Sequence, residues 1–193
     1  MTDKTMQQVL LVTDIFGHCN GLPQLLQDLS SPDRSITLVD PYQGKTQSFS
    51  SEQHAYAAYC ERCGHDHYAS LVSQAIADSR ERFDVAIGFS AGASALWRAL
   101  ASRNASKVQQ AVLFYPGKIH QQLELTPRVP VQLIFGNSEP HFDVASLCRM
   151  VSDQPTVQAS SSPFEHGFMN PASKAYSEQG YQRYLRMLRE MIG

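Results

Sequence analysis

The chain predicts an α/β fold of about six mostly parallel strands with helices on both faces. Three observations carry that expectation. Short, near-continuous apolar runs recur and suit strands covered on both faces, as in a parallel sheet. Between them, apolar residues repeat at i, i+3, i+4 and i+7, the spacing of one helix face. No linker and no internal repeat interrupts the alternation, so residues 1–193 are expected to form one domain.

Taken in order, Gln8-Val9-Leu10-Leu11-Val12-Thr13 is the first strand, ending in Asp14-Ile15-Phe16-Gly17. Leu22, Leu25, Leu26 and Leu29 then mark a helix face, with Pro23 suited to its first turn. Ser35-Ile36-Thr37-Leu38-Val39 is the second strand, closed by Asp40-Pro41. The stretch 43–67 is polar with little periodicity and is expected to be a cap or an irregular insertion. Tyr68, Leu71, Val72, Ala75 and Ile76 resume helical spacing and lead to a third strand, Phe83-Asp84-Val85-Ala86-Ile87. Ala93–Leu100 is rich in helix formers. Val108 with Ala111–Tyr115 makes a fourth strand, stopped by Pro116-Gly117, and Val129–Phe135 a fifth, whose proline fits a strand start. Val144, Leu147, Cys148 and Val151 mark another helix, and Thr156–Ala159 a short sixth strand. Tyr181, Tyr184, Leu185 and Leu188 face one side of a closing helix, with Arg183, Arg186 and Arg189 on the other.

The 16 basic and 18 acidic residues nearly balance, which argues against a nucleic-acid or other polyanionic partner. No apolar run approaches a membrane span, and the N-terminal MTDKTMQQ has no signal-peptide core. A cytoplasmic location is expected by default. Cys19, Cys60, Cys63 and Cys148 are then read as reduced thiols.

The chemistry centres on Gly88-Phe89-Ser90-Ala91-Gly92, a G-x-S-x-G sequence set between a strand and a helix. That context turns the pattern into a nucleophile elbow: the turn lifts a serine out of the sheet, and small flanking residues let strand and helix approach. The helix N-terminus favours developing negative charge. A serine hydroxyl needs a histidine to take its proton, and the histidine needs a carboxylate to fix its tautomer. After the fifth strand, Gly136-Asn137-Ser138-Glu139-Pro140-His141-Phe142-Asp143 offers two acids. Glu139 is the first choice; Asp143 is the alternative, better placed to cap the following helix. After the sixth strand, Phe164-Glu165-His166-Gly167-Phe168 supplies His166. Serine, acid, histidine is the chain order such a site requires. The oxyanion donors expected are the N–H groups of Ala91 and Ile15, with Phe16 the close alternative to Ile15. Asp14, Phe16, Phe89 and Phe168 are candidate pocket residues beside them.

On these motifs the chain resembles the dienelactone hydrolase family of the α/β-hydrolases. The resemblance rests on D-I-F-G after the first strand, G-F-S-A-G, F-Y-P-G, G-N-S-E and E-H-G-F. It implies a compact α/β-hydrolase fold, entered at what would be the third strand of a full one. It also implies acyl-ester hydrolysis with an oxyanion hole at Ile15 and Ala91, and no cofactor. Four positions depart from the family's type members, which have cysteine at Ser90, aspartate at Glu139, a substrate-binding arginine at Asn170, and at Asp14 a glutamate that contacts the resting nucleophile. The expected function is therefore a serine hydrolase acting on a small carboxylic ester, lactone or thioester, with a small-molecule ester as its partner and neither nucleic acid nor membrane. An amidase-like hydrolase is the alternative within the fold.

Two alternatives come from other classes. One is a catalytically silent binding protein on the same fold. The other is a metal or redox module built on Cys60-x-x-Cys63-Gly64-His65-x-His67. A structural zinc site takes its second ligand pair from a distant segment, and no second C-x-x-C or H-x-x-x-H exists here, so no metal is expected.

Overall fold

A computed structural model describes residues 6–193. Its elements are β1 (Gln7–Val12), α1 (Leu22–Leu29), β2 (Arg34–Val39), α2 (Glu52–Arg62), α3 (Gly64–Asp78), β3 (Phe83–Phe89), α4 (Ala91–Leu100), β4 (Val108–Phe114), β5 (Val131–Phe135), α5 (Val144–Ser152), β6 (Val157–Ser161) and α6 (Glu178–Ile192). The six strands form one sheet in the order β2-β1-β3-β4-β5-β6, and every pairing is parallel. This is the α/β architecture the apolar runs predict.

Each face of the sheet carries its own apolar layer. Leu10 and Val12 of β1, Ala111 and Leu113 of β4, and Leu133 and Phe135 of β5 join Val72, Ile76, Trp97 and Leu147 from α3, α4 and α5. Their strand neighbours Val9, Leu11, Val112, Phe114 and Ile134 point the other way, to α1 and α6 through Leu25, Leu29, Tyr184 and Leu188. The alternation follows from the strand's two-residue period.

The strand order also places the site. From β1 the chain runs outward to β2, then returns to put β3 on β1's other side. The connections leaving β1 and β3 therefore diverge, which opens a crevice at the carboxyl ends of the strands. Register brings Val12 opposite Gly88 and Phe89 opposite Phe114, so the loop after β1 and the turn after β3 emerge side by side.

The stretch 43–67 is where the sequence expectation needs correction. It is not an irregular insertion throughout: α2 fills Glu52–Arg62, and α3 starts at Gly64, before Tyr68. The Ser51 hydroxyl caps α2 by accepting from the His54 N–H at 3.1 Å. No helix among the described residues is long and apolar enough to cross a membrane.

Candidate active site

Ser90 sits at the turn between β3 and α4 with φ 50° and ψ −112°, a backbone state that costs a non-glycine residue about 1–3 kcal/mol. Its neighbours hold it there. The Ser90 N–H donates to the Phe114 carbonyl at 2.9 Å. A Cβ on Gly92 would stand 2.1 Å from the Thr13 carbonyl oxygen, and one on Gly88 would stand 2.8 Å from the Ala93 Cα. The two glycines of the motif are thus what lets α4 close against β1 and against its own strand.

The loops after β5 and β6 bring the other two groups to the same place. The Asn137 N–H donates to the Phe164 carbonyl at 2.7 Å, tying the acid loop to the histidine loop. His166 Nε2 lies 2.8 Å from Ser90 Oγ, and His166 Nδ1 lies 2.8 and 3.0 Å from the two Glu139 carboxylate oxygens. Glu139 is buried, with its side chain 4% exposed, while His166 is 35% exposed. A carboxylate so placed fixes the tautomer that carries the proton on Nδ1, leaving Nε2 free to accept from the serine. The Tyr115 ring packs on the imidazole at 4.9 Å between centroids. Asp143 is turned away and exposed. It caps α5, accepting from the Ser146 N–H at 2.7 Å, and hydrogen bonding from the Ser146 side chain and then its N–H holds its carboxyl below the usual carboxylate range.

Ile15 and Ala91 both border a cavity of about 350 Å³ that opens at Ser90. Ala91 is the first residue of α4, where no intrahelical acceptor exists for its N–H. The aim of the Ile15 N–H is set by its own peptide. The Asp14 carbonyl accepts from the Gly17 N–H and the Thr13 hydroxyl, both at 3.2 Å. A planar trans peptide then turns the Ile15 N–H the opposite way. Tyr68 braces this strand end, its buried hydroxyl donating to the Thr13 carbonyl at 2.8 Å. Nothing in the sequence beyond a helix-face tyrosine signals that bond.

The four candidate pocket residues are placed elsewhere. Phe89 stacks on Phe114 at 5.2 Å, and Phe168 is fully buried against Phe114, Tyr115 and Tyr184. Both belong to the α1/α6 core: Phe89 continues the β3 face of Val85 and Ile87, and Phe168 packs into the same layer from the loop after β6. Phe16 packs with Cys19, Ala55 and Phe49. Asp14 lies beneath the loop, where burial pushes its carboxyl up. With Phe89, Cys19 and Asn170 it lines a separate void of about 30 Å³. The residues that line the cavity at Ser90 instead are Glu52 and Tyr56 of α2, His65 of α3, Ser94, Lys118, Pro140 and His141. Residues Glu52, Tyr56 and His65 of the stretch 43–67 thus form part of this cavity's wall.

The Cys60–His67 cluster does not gather into a ligand set. Cys60 is exposed on α2, burial pushes the Cys63 thiol up to about 11, and His65 Nδ1 is 3.2 Å from the Tyr59 hydroxyl. Among the described residues no group of three or more His, Cys, Asp or Glu side chains is arranged to hold a metal ion.

Known proteins resemble the chain in sequence and in fold. The chain is 29% identical over 122 residues to the uncharacterized protein YczH of Bacillus subtilis (strain 168), a match covering 62% of this chain and 59% of that protein's length. Among solved structures it is similar to a dienelactone hydrolase-like promiscuous phosphotriesterase from metagenomic libraries, with TM-score 0.68 at 16% identity over 97% of this chain and 86% of that one. It is likewise similar to the dienelactone hydrolase of Anabaena variabilis, with TM-score 0.63 at 14% identity over 98% and 86%. A third is the naproxen esterase of Bacillus subtilis, with TM-score 0.54 at 15% identity over 96% and 84%. These likenesses are of fold. The model of the dienelactone hydrolase family matches residues 3–192, and the chain belongs to that family of hydrolases.

Proposed function

We propose that the chain is a serine hydrolase that cleaves a small carboxylic ester, lactone or thioester through an acyl-enzyme on Ser90. The observation that carries this reading is the continuous hydrogen-bonded line from Ser90 Oγ through His166 to Glu139, at the mouth of a cavity bordered by Ile15 and Ala91. His166 Nε2 accepts the serine proton as Oγ attacks the carbonyl carbon, while Glu139 stabilises the imidazolium that forms. The carbonyl oxygen becomes an oxyanion between the Ile15 and Ala91 N–H groups. As the intermediate collapses, the proton passes from Nε2 to the departing alcohol or thiol. Water, deprotonated by the same nitrogen, then attacks the acyl-enzyme and releases the acid.

The cavity suits a small molecule, with Ile15, Tyr56 and Pro140 as its apolar surface. Dienelactone itself is a poor fit to this reading. Asn170, at the position of the expected arginine, is committed to Asp14 at 2.7 Å and offers no cation to a substrate carboxylate. Activity on short p-nitrophenyl esters, with fluorophosphonate labelling of Ser90, is the test. Ser90→Ala is expected to keep the fold and lose about a thousandfold or more in kcat/KM. Activity within about tenfold of the original in that variant, or labelling at another residue, overturns the assignment.

A further inference from the structure

An oxyanion donor is effective only when it is aimed at the position the oxygen will occupy, and a misplacement of about 1 Å can cost a hundredfold. Here the two halves of the site arrive on loops of different origin. Ile15 lies in the irregular loop after β1, and His166 in the irregular loop after β6. The sheet fixes where each loop starts but not how the two stand to each other. A direct side-chain link joins them.

Asp14 and Asn170 make that link. Asn170 Nδ2 donates to Asp14 Oδ2 at 2.7 Å, and the other carboxylate oxygen accepts from the Phe16 N–H at 2.9 Å. Asp14 therefore clamps the peptides on both sides of Ile15, one through its carboxylate and one through its carbonyl. Asn170 is itself held. Its N–H donates to the Gly167 carbonyl at 3.0 Å, and its Oδ1 accepts from the Ala172 N–H at 2.9 Å and faces the Cys19 thiol at 3.6 Å. Gly167 is the residue after His166. The chain of bonds thus runs from the flank of Ile15 to the flank of His166 without passing through Ser90.

The chemistry of the pair points the same way. Asp14 is a 6% exposed carboxylate whose bonds are to an amide and a backbone N–H, and among the described residues no cation is paired to it by a salt bridge. Burying such a group costs free energy, and loop closure alone would be served by a neutral asparagine or serine. Asp14 neither touches Ser90 nor lines the reaction cavity, so it is not a catalytic residue.

We propose that Asp14 and Asn170 are a positioning pair that holds the Ile15 N–H in register with His166. The proposal rests on the serine-hydrolase reading above and deepens it.

The experiment compares Asp14→Asn, Asn170→Ala and the exchanged double variant Asp14→Asn/Asn170→Asp. In the exchange, the new amide at position 14 would accept from Phe16 and donate to the new carboxylate at position 170. That carboxylate would still accept from Ala172 and Cys19, so every bond is kept, with donor and acceptor reversed between the two side chains. Each single variant is expected to lower kcat on p-nitrophenyl butyrate on the order of 10- to 100-fold with KM changed less than about threefold. Affinity for an alkyl boronic acid, a tetrahedral oxyanion mimic, should fall by a similar factor. The exchange is expected to restore kcat to within about threefold of the original. A single variant within about twofold of the original overturns the pair, as does a folded exchange no faster than the singles. If the singles do not fold, the exchange decides alone: folded and active supports the pair, while inactive or unfolded overturns it. Wild-type protein that fails to label at Ser90 would instead overturn the serine-hydrolase reading, which keeps the two failures apart.

Discussion

Glu139 and Asp143 follow the same strand, yet their surroundings differ completely. Both Glu139 oxygens face His166 Nδ1, and a bridge between Glu139 and Phe142 tightens the turn that holds it. The Asp143 carboxylate is taken by the Ser146 N–H at the start of α5. Glu139→Gln is therefore expected to lower kcat on the order of a thousandfold, because an amide can favour the wrong imidazole tautomer. Asp143→Asn should leave kcat within about twofold and the melting temperature nearly unchanged, since asparagine caps helices as well as aspartate does. Steady-state kinetics on both variants checks this, and greater damage from Asp143→Asn would reverse the choice of acid. At this scale the meeting of Ser90, Glu139 and His166 was legible because acyl transfer calls for those residue types and an elbow of this kind expects them in that chain order, here after β3, β5 and β6. Phe89 and Phe168 were misread because an aromatic beside a reactive residue suggests a pocket. Strand alternation sends Phe89 into the core, and packing of the loop after β6 against Phe114, Tyr115 and Tyr184 does the same to Phe168.

Among the elements, α4 shows how a short motif dictates packing. Its approach to β1 is so close that Gly92 has no room for a methyl group: the atom that would block it is the Thr13 backbone oxygen, not a side chain able to rotate away. Gly92→Ala is expected to cost about 3 kcal/mol through overpacking. For a chain of this size that lowers the melting temperature by roughly 6–12 °C. It should also reduce kcat, since the loop displaced is the one that carries Ile15. A melting curve unchanged by that substitution would show that α4 can slide on β1. The element the sequence hid is α2. Its buried positions Ala55, Ala58 and Tyr59 do follow helical spacing, and Ser51 is a proper cap. The signal is carried by two alanines among His, Gln and Cys, so the apolar stripe is too faint to register as periodicity. Without that helix the stretch 43–67 could be read as a cap, but Glu52, Tyr56 and His65 could not be singled out as cavity-lining residues.

The whole molecule is a sheet shared between two cores, and that sharing governs how it should unfold. Leu10 and Val12 serve one layer while Val9 and Leu11 serve the other, and β4 and β5 divide their residues in the same way. Neither layer can dissolve while the sheet stays ordered, because each strand would then expose one apolar face to water at about 25 cal/mol per Å². A single cooperative transition is expected, the behaviour of one domain. The protein carries its own probe for the α3/α4/α5 layer: its one tryptophan, Trp97, is fully buried, with Nε1 donating to the Gln122 carbonyl at 3.3 Å. A second probe can be placed in the opposite layer as Tyr184→Trp in a Trp97→Phe background, since Tyr184 packs on Phe114 and Phe168. Urea titrations of the two proteins, each followed by fluorescence and by far-ultraviolet circular dichroism, test the idea. Within each protein the two signals should share one midpoint and one slope. If fluorescence in the Tyr184→Trp protein changes well before its circular dichroism, the α1/α6 layer melts first and the two cores are not bound into one unit by their strands.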